Sequence, residues 1–236
     1  MTNNKISLVI FDMDGTIFDT ERLGLQCWVE AFKTMNIPVP EKALFNKIGL
    51  NSKDSKKLMK EESGIDFDYD EVKKVKRIII KKHIAQQGTP IKEGFGELVQ
   101  YLKQHNIKMA LATSRSREMT DYYMQNAGQN FANQFDCFIT GDMIEKGKPN
   151  PDIFLHAASQ LGISPQNSLV VEDSPNGIKA AYAANMKSIM IPDLVEPTDD
   201  IKQMAYTVKK NLKDVISVVS KINYQNGNFS RTILER

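Results

Sequence analysis

Ser7-Leu8-Val9-Ile10-Phe11-Asp12-Met13-Asp14-Gly15-Thr16 runs from an apolar segment into two carboxylates and a glycine. An apolar run this short, unbroken and partly β-branched reads as a strand buried on both faces, the signature of a parallel sheet. Asp12 and Asp14 lie two residues apart. In extended backbone that spacing puts both side chains on one face, just past the strand end. Four later runs end in the same way: Met109-Ala110-Leu111-Ala112 before Thr113, Cys137-Phe138-Ile139 before Thr140-Gly141-Asp142, Leu169-Val170-Val171 before Glu172-Asp173, and Ile189-Met190-Ile191 before Pro192-Asp193.

Helix-period segments separate these runs. Phe95, Leu98, Val99 and Leu102 form one apolar stripe at i, i+3, i+4 and i+7. Ser174-Pro175 reads as an N-cap followed by proline at the first helical position, leading into Ile178, Ala181 and Tyr182. Strand and helix alternate from about Glu93 to about Val208, which predicts an α/β fold with a doubly wound parallel sheet. The first strand breaks the alternation, because the next strand signal comes only near Lys108. Between them, Leu25, Trp28, Val29 and Phe32 make one helical stripe, and Val72, Val75 and Ile79 another. Pro38, Pro40, Gly49, Gly64 and Gly88-Thr89-Pro90 punctuate the pieces. Residues 18–89 therefore read as a helical insert after the first strand. Residues 1–17 and 90–215 read as the α/β core, and 216–236 as a polar, uninformative tail.

In an open parallel sheet, ligands bind at the carboxyl ends of the strands. Asp12, Asp14, Thr113, Asp142, Glu172 and Asp173 stand there, with Lys148 in the nearby loop Lys146-Gly147-Lys148-Pro149. Converging carboxylates repel one another unless a cation neutralises them. An all-oxygen set without His or Cys suits a hard ion such as Mg²⁺, which works through one or two carboxylates plus substrate phosphate.

These residues resemble the haloacid dehalogenase-like hydrolases. Asp12-Met13-Asp14-Gly15-Thr16 is similar to that family's nucleophile motif, and Thr113, Lys148 and Glu172-Asp173 fall in order where its other motifs stand. Three longer strings, Phe11 to Glu21, Gly147 to Phe154 and Val171 to Gly177, resemble the β-phosphoglucomutase and sugar-phosphatase branch. The resemblance covers about residues 10–195 and implies a Rossmann-like core with a helical cap. It implies Asp12 as a nucleophile forming an aspartyl-phosphate, and Asp14 as the general acid and base. It implies Asp12, Asp14 (through its carbonyl), Glu172 and Asp173 around Mg²⁺, and Thr113 and Lys148 as catalytic groups on the phosphoryl oxygens. Gly15 would let the chain approach the phosphate. Ser114, Arg115 and Ser116 would add phosphate contacts, and Glu21, Lys47, Asn51 and Lys53 are candidate cap contacts. The mutase branch is expected to carry a cap histidine where this chain has Gly24, and an arginine near Ser52. Their absence points to hydrolysis of a small phosphate ester, most simply a sugar phosphate. An isomerase that moves phosphate within a hexose phosphate is the second reading. A non-catalytic phospho-ligand-binding regulator is the third.

A formal net charge of +2 on 236 residues argues against a broad nucleic-acid-binding surface. Two cysteines far apart, Cys27 and Cys137, form no CxxC pair, which fits a reduced, cytoplasmic setting without a zinc or disulfide framework. No apolar stretch reaches the ~18 residues of a membrane span, and a monomer or weak dimer is expected. Gly141 to Lys148 is one residue too long for a phosphate-binding Walker loop, with Pro149 where Ser or Thr is required. The basic stretches Lys73-Lys74-Val75-Lys76-Arg77 and Lys81-Lys82 read as a solvated face of the insert rather than an anion-attracting one.

Overall fold

The computed structural model describes residues 5–48 and 52–231, without the side chains of 52 and 226–231. Six strands form one parallel sheet: β1 (Leu8–Phe11), β2 (Lys108–Ala112), β3 (Cys137–Ile139), β4 (Ser168–Glu172), β5 (Lys187–Met190) and β6 (Thr207–Val208). Their spatial order is β3-β2-β1-β4-β5-β6. β1 is flanked by β2 and β4, with Phe11 opposite Leu111 on one side and Val171 on the other. The chain winds outward from β1 in both directions, so the strand-order switch falls beside it. The carboxyl end of β1 thus opens into the crevice that this topology provides for ligands.

Alternation along the strands divides the core between two faces. Val9 and Phe11 join Leu111 and Val171 in one cluster with Phe95, Leu98 and Leu102 from α5 (Phe95–Gln104). Leu8 and Ile10 join Ala110 and Val170 on the other, under α7 (Asp152–Gln160) and α8 (Pro175–Ala183). Small alanines on that second face, Ala157, Ala158, Ala180 and Ala181, let the two helices lie close to the sheet. Two further helices, α6 (Arg117–Gln125) and α9 (Asp199–Met204), complete the layers up to the last helix.

Four helices lie between β1 and α5: α1 (Thr20–Thr34), α2 (Glu41–Asn46), α3 (Ser52–Glu62) and α4 (Tyr69–Gln87). They carry a core of their own, in which Trp28, Phe32, Leu44, Met59, Tyr69 and Val72 are buried together. Asp68 starts α4 as an N-cap, accepting from the N–H groups of Asp70 and Glu71. The two crossings between this bundle and the core run side by side. Phe18 bridges Ile91, the Asp19 N–H donates to the Pro90 carbonyl at 2.9 Å, and the Lys92 N–H donates to Ile17 at 2.8 Å.

Residues 213–231, α10 (Lys213–Arg231), depart from the expected uninformative tail. Val215, Val218, Val219 and Ile222 pack into the core cluster of β1. Asn223 accepts from the Ile6 N–H at 2.7 Å and donates to the Ile6 carbonyl at 3.1 Å. The helix stripe 215, 218, 219, 222 is present in the sequence. β6 is only two residues long and gives too short a signal to read as a strand.

No helix among the described residues is long and apolar enough to cross a membrane.

Candidate active site

The residues after β1 form a tight turn. The N–H groups of Ile17 and Phe18 both donate to the Met13 carbonyl, and the Gly15 N–H donates to Phe18 at 2.8 Å. Gly15 has φ +77, and a Cβ there would stand 2.1 Å from Asp173 Oδ2. Only glycine permits both the left-handed backbone and the close approach of Asp173.

Asp12 lies at the centre. Lys148 Nζ donates to Asp12 Oδ1 at 2.5 Å, to Glu172 Oε1 at 2.7 Å and to the Ala112 carbonyl at 3.1 Å. One buried ammonium therefore ties together the ends of β1, β2 and β4. Burial opposes its charge, but Asp12 and Glu172 outweigh burial and hold Lys148 protonated, above the usual lysine range. Burial pushes Asp12 up to about 8, Lys148 pulls against it, and Glu172 and Asp14 add to the rise. Asp173 is likewise raised, by burial first and then by Glu172 and Asp12. One lysine does not balance these three acids.

Glu172 has both oxygens engaged. Oε1 takes Lys148, and Oε2 accepts from the Ser174 N–H at 2.8 Å and its hydroxyl at 2.9 Å. Glu172 lines the cavity, and its carboxylate positions Lys148 there. Ser174 in turn caps α8, accepting from the Gly177 N–H at 3.1 Å. A Cβ at Gly177 would fall 1.9 Å from the Glu172 carboxyl carbon. Gly177→Ala is expected to displace Glu172, loosen Lys148, and lower stability by about 1–3 kcal/mol. A thermal melt showing a fall of several degrees, with a parallel loss of activity, checks this; an unchanged melt would refute it.

Asp14 turns aside from Asp12. Arg115 grips it with Nε at 2.5 Å and Nη2 at 2.7 Å, and the Thr20 hydroxyl donates to it at 2.5 Å. Burial opposes ionisation of Asp14, but Arg115 and then Thr20 outweigh it and hold the carboxyl below its usual range. The guanidinium lies 4.7 Å over the Tyr123 ring, which fixes its plane. Arg115 thus meets a protein carboxylate as well as the cavity. Neither the Thr20 bond nor the Tyr123 platform was signalled by sequence, since both depend on how separate elements meet.

Thr113 is buried at the end of β2, and its hydroxyl accepts from the Arg115 N–H at 3.2 Å. Ser114 and Ser116 line the same cavity, which also takes Glu21 and Lys47 and has a volume of about 330 Å³. Lys53 is exposed and does not line it, and Asn51 lies outside the described residues. Asp142 is also elsewhere: it accepts from Thr140 and from the Arg117 N–H at 3.0 Å, closing the turn after β3. The expected solvated face of α4 is corrected in part. Lys73, Lys76, Arg77 and Ile80 recur at i, i+3, i+4 and i+7 and line the cavity, while Lys74 and Lys82 remain exposed. That spacing was the available signal.

Among the described residues no three His, Cys, Asp or Glu side chains gather to hold a metal. Mg²⁺ needs no such cage, since one or two carboxylates with substrate phosphate and water suffice. Asp12 and Asp173 line one cavity, are both short of positive charge, and offer only oxygen. The donor chemistry therefore fits a hard divalent ion.

Residues 9–191 match the family model of the haloacid dehalogenase-like hydrolases. The chain belongs to that family. This hydrolase is 30% identical over 183 residues to the phosphorylated carbohydrates phosphatase of Thermotoga maritima, covering 77% of this chain and 82% of that protein. It is also 30% identical over 190 residues to the β-phosphoglucomutase of Bacillus subtilis, covering 77% and 81%. The crystal structure of CbbY from Rhodobacter sphaeroides in complex with phosphate shares its fold, with TM-score 0.76 and 23% identity over 89% of this chain and 96% of that one. The six-stranded parallel sheet with flanking helices is the architecture of the family's core.

Proposed function

We propose that this hydrolase cleaves a small phosphomonoester, a sugar or similar polyol phosphate, through an aspartyl-phosphate on Asp12. The observation that carries this is the division of labour between two carboxylates two residues apart. Lys148 holds Asp12 at the strand end, whereas Arg115 and Thr20 hold Asp14 to one side within the same cavity. A carboxylate already ionised can attack phosphorus, and the covalent step splits one difficult displacement into two. Lys148 balances charge on the attacking and transferring oxygens. Thr113 and the N–H groups that follow it offer donors for the phosphoryl oxygens. Asp14, released from Arg115 as substrate settles, loses the charge that keeps it ionised; burial then favours its taking up a proton from solvent, which it hands to the departing oxygen before taking one from the attacking water.

Asp12 and Asp173 would hold Mg²⁺, with the Asp14 main-chain carbonyl beside them. When bound, the ion supplies positive charge that keeps the acids ionised and draws the phosphoryl group toward Asp12. The helical bundle of α1–α4 closes the cavity from above and excludes water. Gly24, where the mutase branch is expected to carry a histidine, brings no titratable side chain to this bundle, which favours hydrolysis over phosphate migration.

A phosphate-release screen over a metabolite panel tests this reading. Release with Mg²⁺, silence in EDTA, and recovery on adding Mg²⁺ back are expected. Full activity in EDTA would remove the metal from the account, and glucose 6-phosphate as the main product from glucose 1-phosphate would convert the hydrolase into an isomerase.

A further inference from the structure

We propose that the cavity holds a second anion-binding subsite on its helical side, formed by Lys47 and Lys76, which takes a second phosphate or a carboxylate of the substrate. The inference rests on the reading that Asp12 faces the phosphate to be cleaved.

The cations around the cavity divide into two sets. Lys148 is committed to Asp12 and Glu172, Arg115 to Asp14, and Arg77 to Glu118, and Lys73 is also engaged. Lys47 and Lys76 make no hydrogen bond or ion pair among the described residues. Lys47 Nζ lies 4.8 Å over the Trp28 ring, which presents an apolar face and a quadrupole but no countercharge. Lys76 Nζ ends 4.0 Å from where a Cβ of Gly24 would stand, so the bare α1 backbone makes room for it. Two half-buried ammonium groups thus reach one enclosed space from different helices, α4 and the turn after α2.

A buried ammonium without a partner is costly, and the protein bears that cost twice in one place. Burial lowers Lys47 to about 8 and Lys76 to about 7, and Arg115 adds repulsion to both. Glu21 is the single carboxylate that the bundle contributes to the lining described here. Burial and then Asp14 push it toward its neutral form, so it does not offset both lysines. A dianionic group placed between Lys47 and Lys76 would satisfy both. A cavity of about 330 Å³ is at the small end for ligand sites and suits a short metabolite charged at each end. The core would then hold the reacting phosphate and the bundle the remote anion, whose binding holds the bundle closed.

A matched linear series separates this from simple phosphate hydrolysis: propyl phosphate, propane-1,3-diol bisphosphate and 3-phosphooxypropanoate, assayed with Mg²⁺. The wild-type protein is expected to favour at least one of the two doubly charged compounds over propyl phosphate by about 10-fold or more in kcat/KM, the scale of one charge-assisted contact. The responding arm identifies phosphate or carboxylate. In Lys76→Gln and in Lys47→Gln that ratio should collapse toward unity, mainly through KM. Lys82→Gln, on the exposed side of α4, should leave it unchanged. No preference in the wild type, or a preference that survives both substitutions, overturns the subsite. Should none of the three compounds be hydrolysed, the nucleophile reading fails separately. Calorimetric binding of the same series then decides the subsite: a preference lost in Lys76→Gln supports it, and equal affinities refute it.

Discussion

Asp12→Asn is expected to lower phosphate release by on the order of 10⁴-fold or more, the scale seen when a covalent nucleophile is removed, while the chain stays folded. The amide keeps the shape of the carboxylate but cannot form the acyl-phosphate. Stability should hold because Asp12 sits in an electrostatically crowded place. Burial, Glu172 and Asp14 all disfavour its charge, and Lys148 retains Glu172 and the Ala112 carbonyl as partners. A melting temperature at or above that of the wild type, measured in EDTA, would show that the site trades stability for function. Residual activity above about 1% would take Asp12 out of the covalent role.

Lys148→Ala should damage both properties. Its ammonium is the one contact that joins Asp12, Glu172 and the end of β2. Removing it leaves two buried carboxylates facing each other, and a broken buried pair costs roughly 3–5 kcal/mol. The lower figure is expected, because the acids can take up protons instead. At about 3 kcal/mol the melting temperature falls by roughly 6–12 °C for a chain of this size. The loss should depend on pH. A carboxyl whose folded-state pKa is raised binds a proton more readily folded than unfolded, so it destabilises increasingly as pH climbs from near 4. Asp12 already titrates near 8 with Lys148 present, and without it the rise should extend higher. Up to about pH 7 both folded proteins keep that proton and lose stability in parallel, so the gap between wild type and variant should widen only above about pH 8, where the wild-type loss levels off and the variant's continues. A gap that stays constant from about pH 7 to about pH 9.5 would mean Lys148 acts by packing against Phe154, whose ring centroid is 5.0 Å from Nζ, rather than by charge.

Much of the sheet was legible because parallel strands carry an unmixed apolar signal. Leu8–Phe11, Lys108–Ala112 and Ser168–Glu172 all coincide closely with apolar runs. The side chains at their carboxyl ends were legible for the same reason, since topology converts a strand end into a location. Asp12, Thr113 and Asp173 meet in one cavity as their places in the chain implied. What the sequence left dark depends on the meeting of distant segments. Arg115 reads as a phosphate contact, and the sequence does not show that it also grips Asp14. Glu172 reads as a metal ligand, and the sequence does not show that Lys148 and Ser174 already engage both its oxygens. Lys76 reads as a surface charge because a basic stretch on a helix usually is one. Only the fold of α4 across the cavity separates Lys73, Lys76 and Arg77 from their exposed neighbour Lys74.

The paired crossings at Phe18–Ile91 and Asp19–Pro90 have a consequence for how such a chain can diversify. Both ends of the four-helix segment leave the sheet at neighbouring points, so its removal or replacement would not alter the order of a single strand. The closure entropy of a longer or shorter replacement grows only with the logarithm of its length. A lineage could therefore trade this whole module for another as a graft, inheriting a new appetite for metabolites while the reacting centre stays behind with β1.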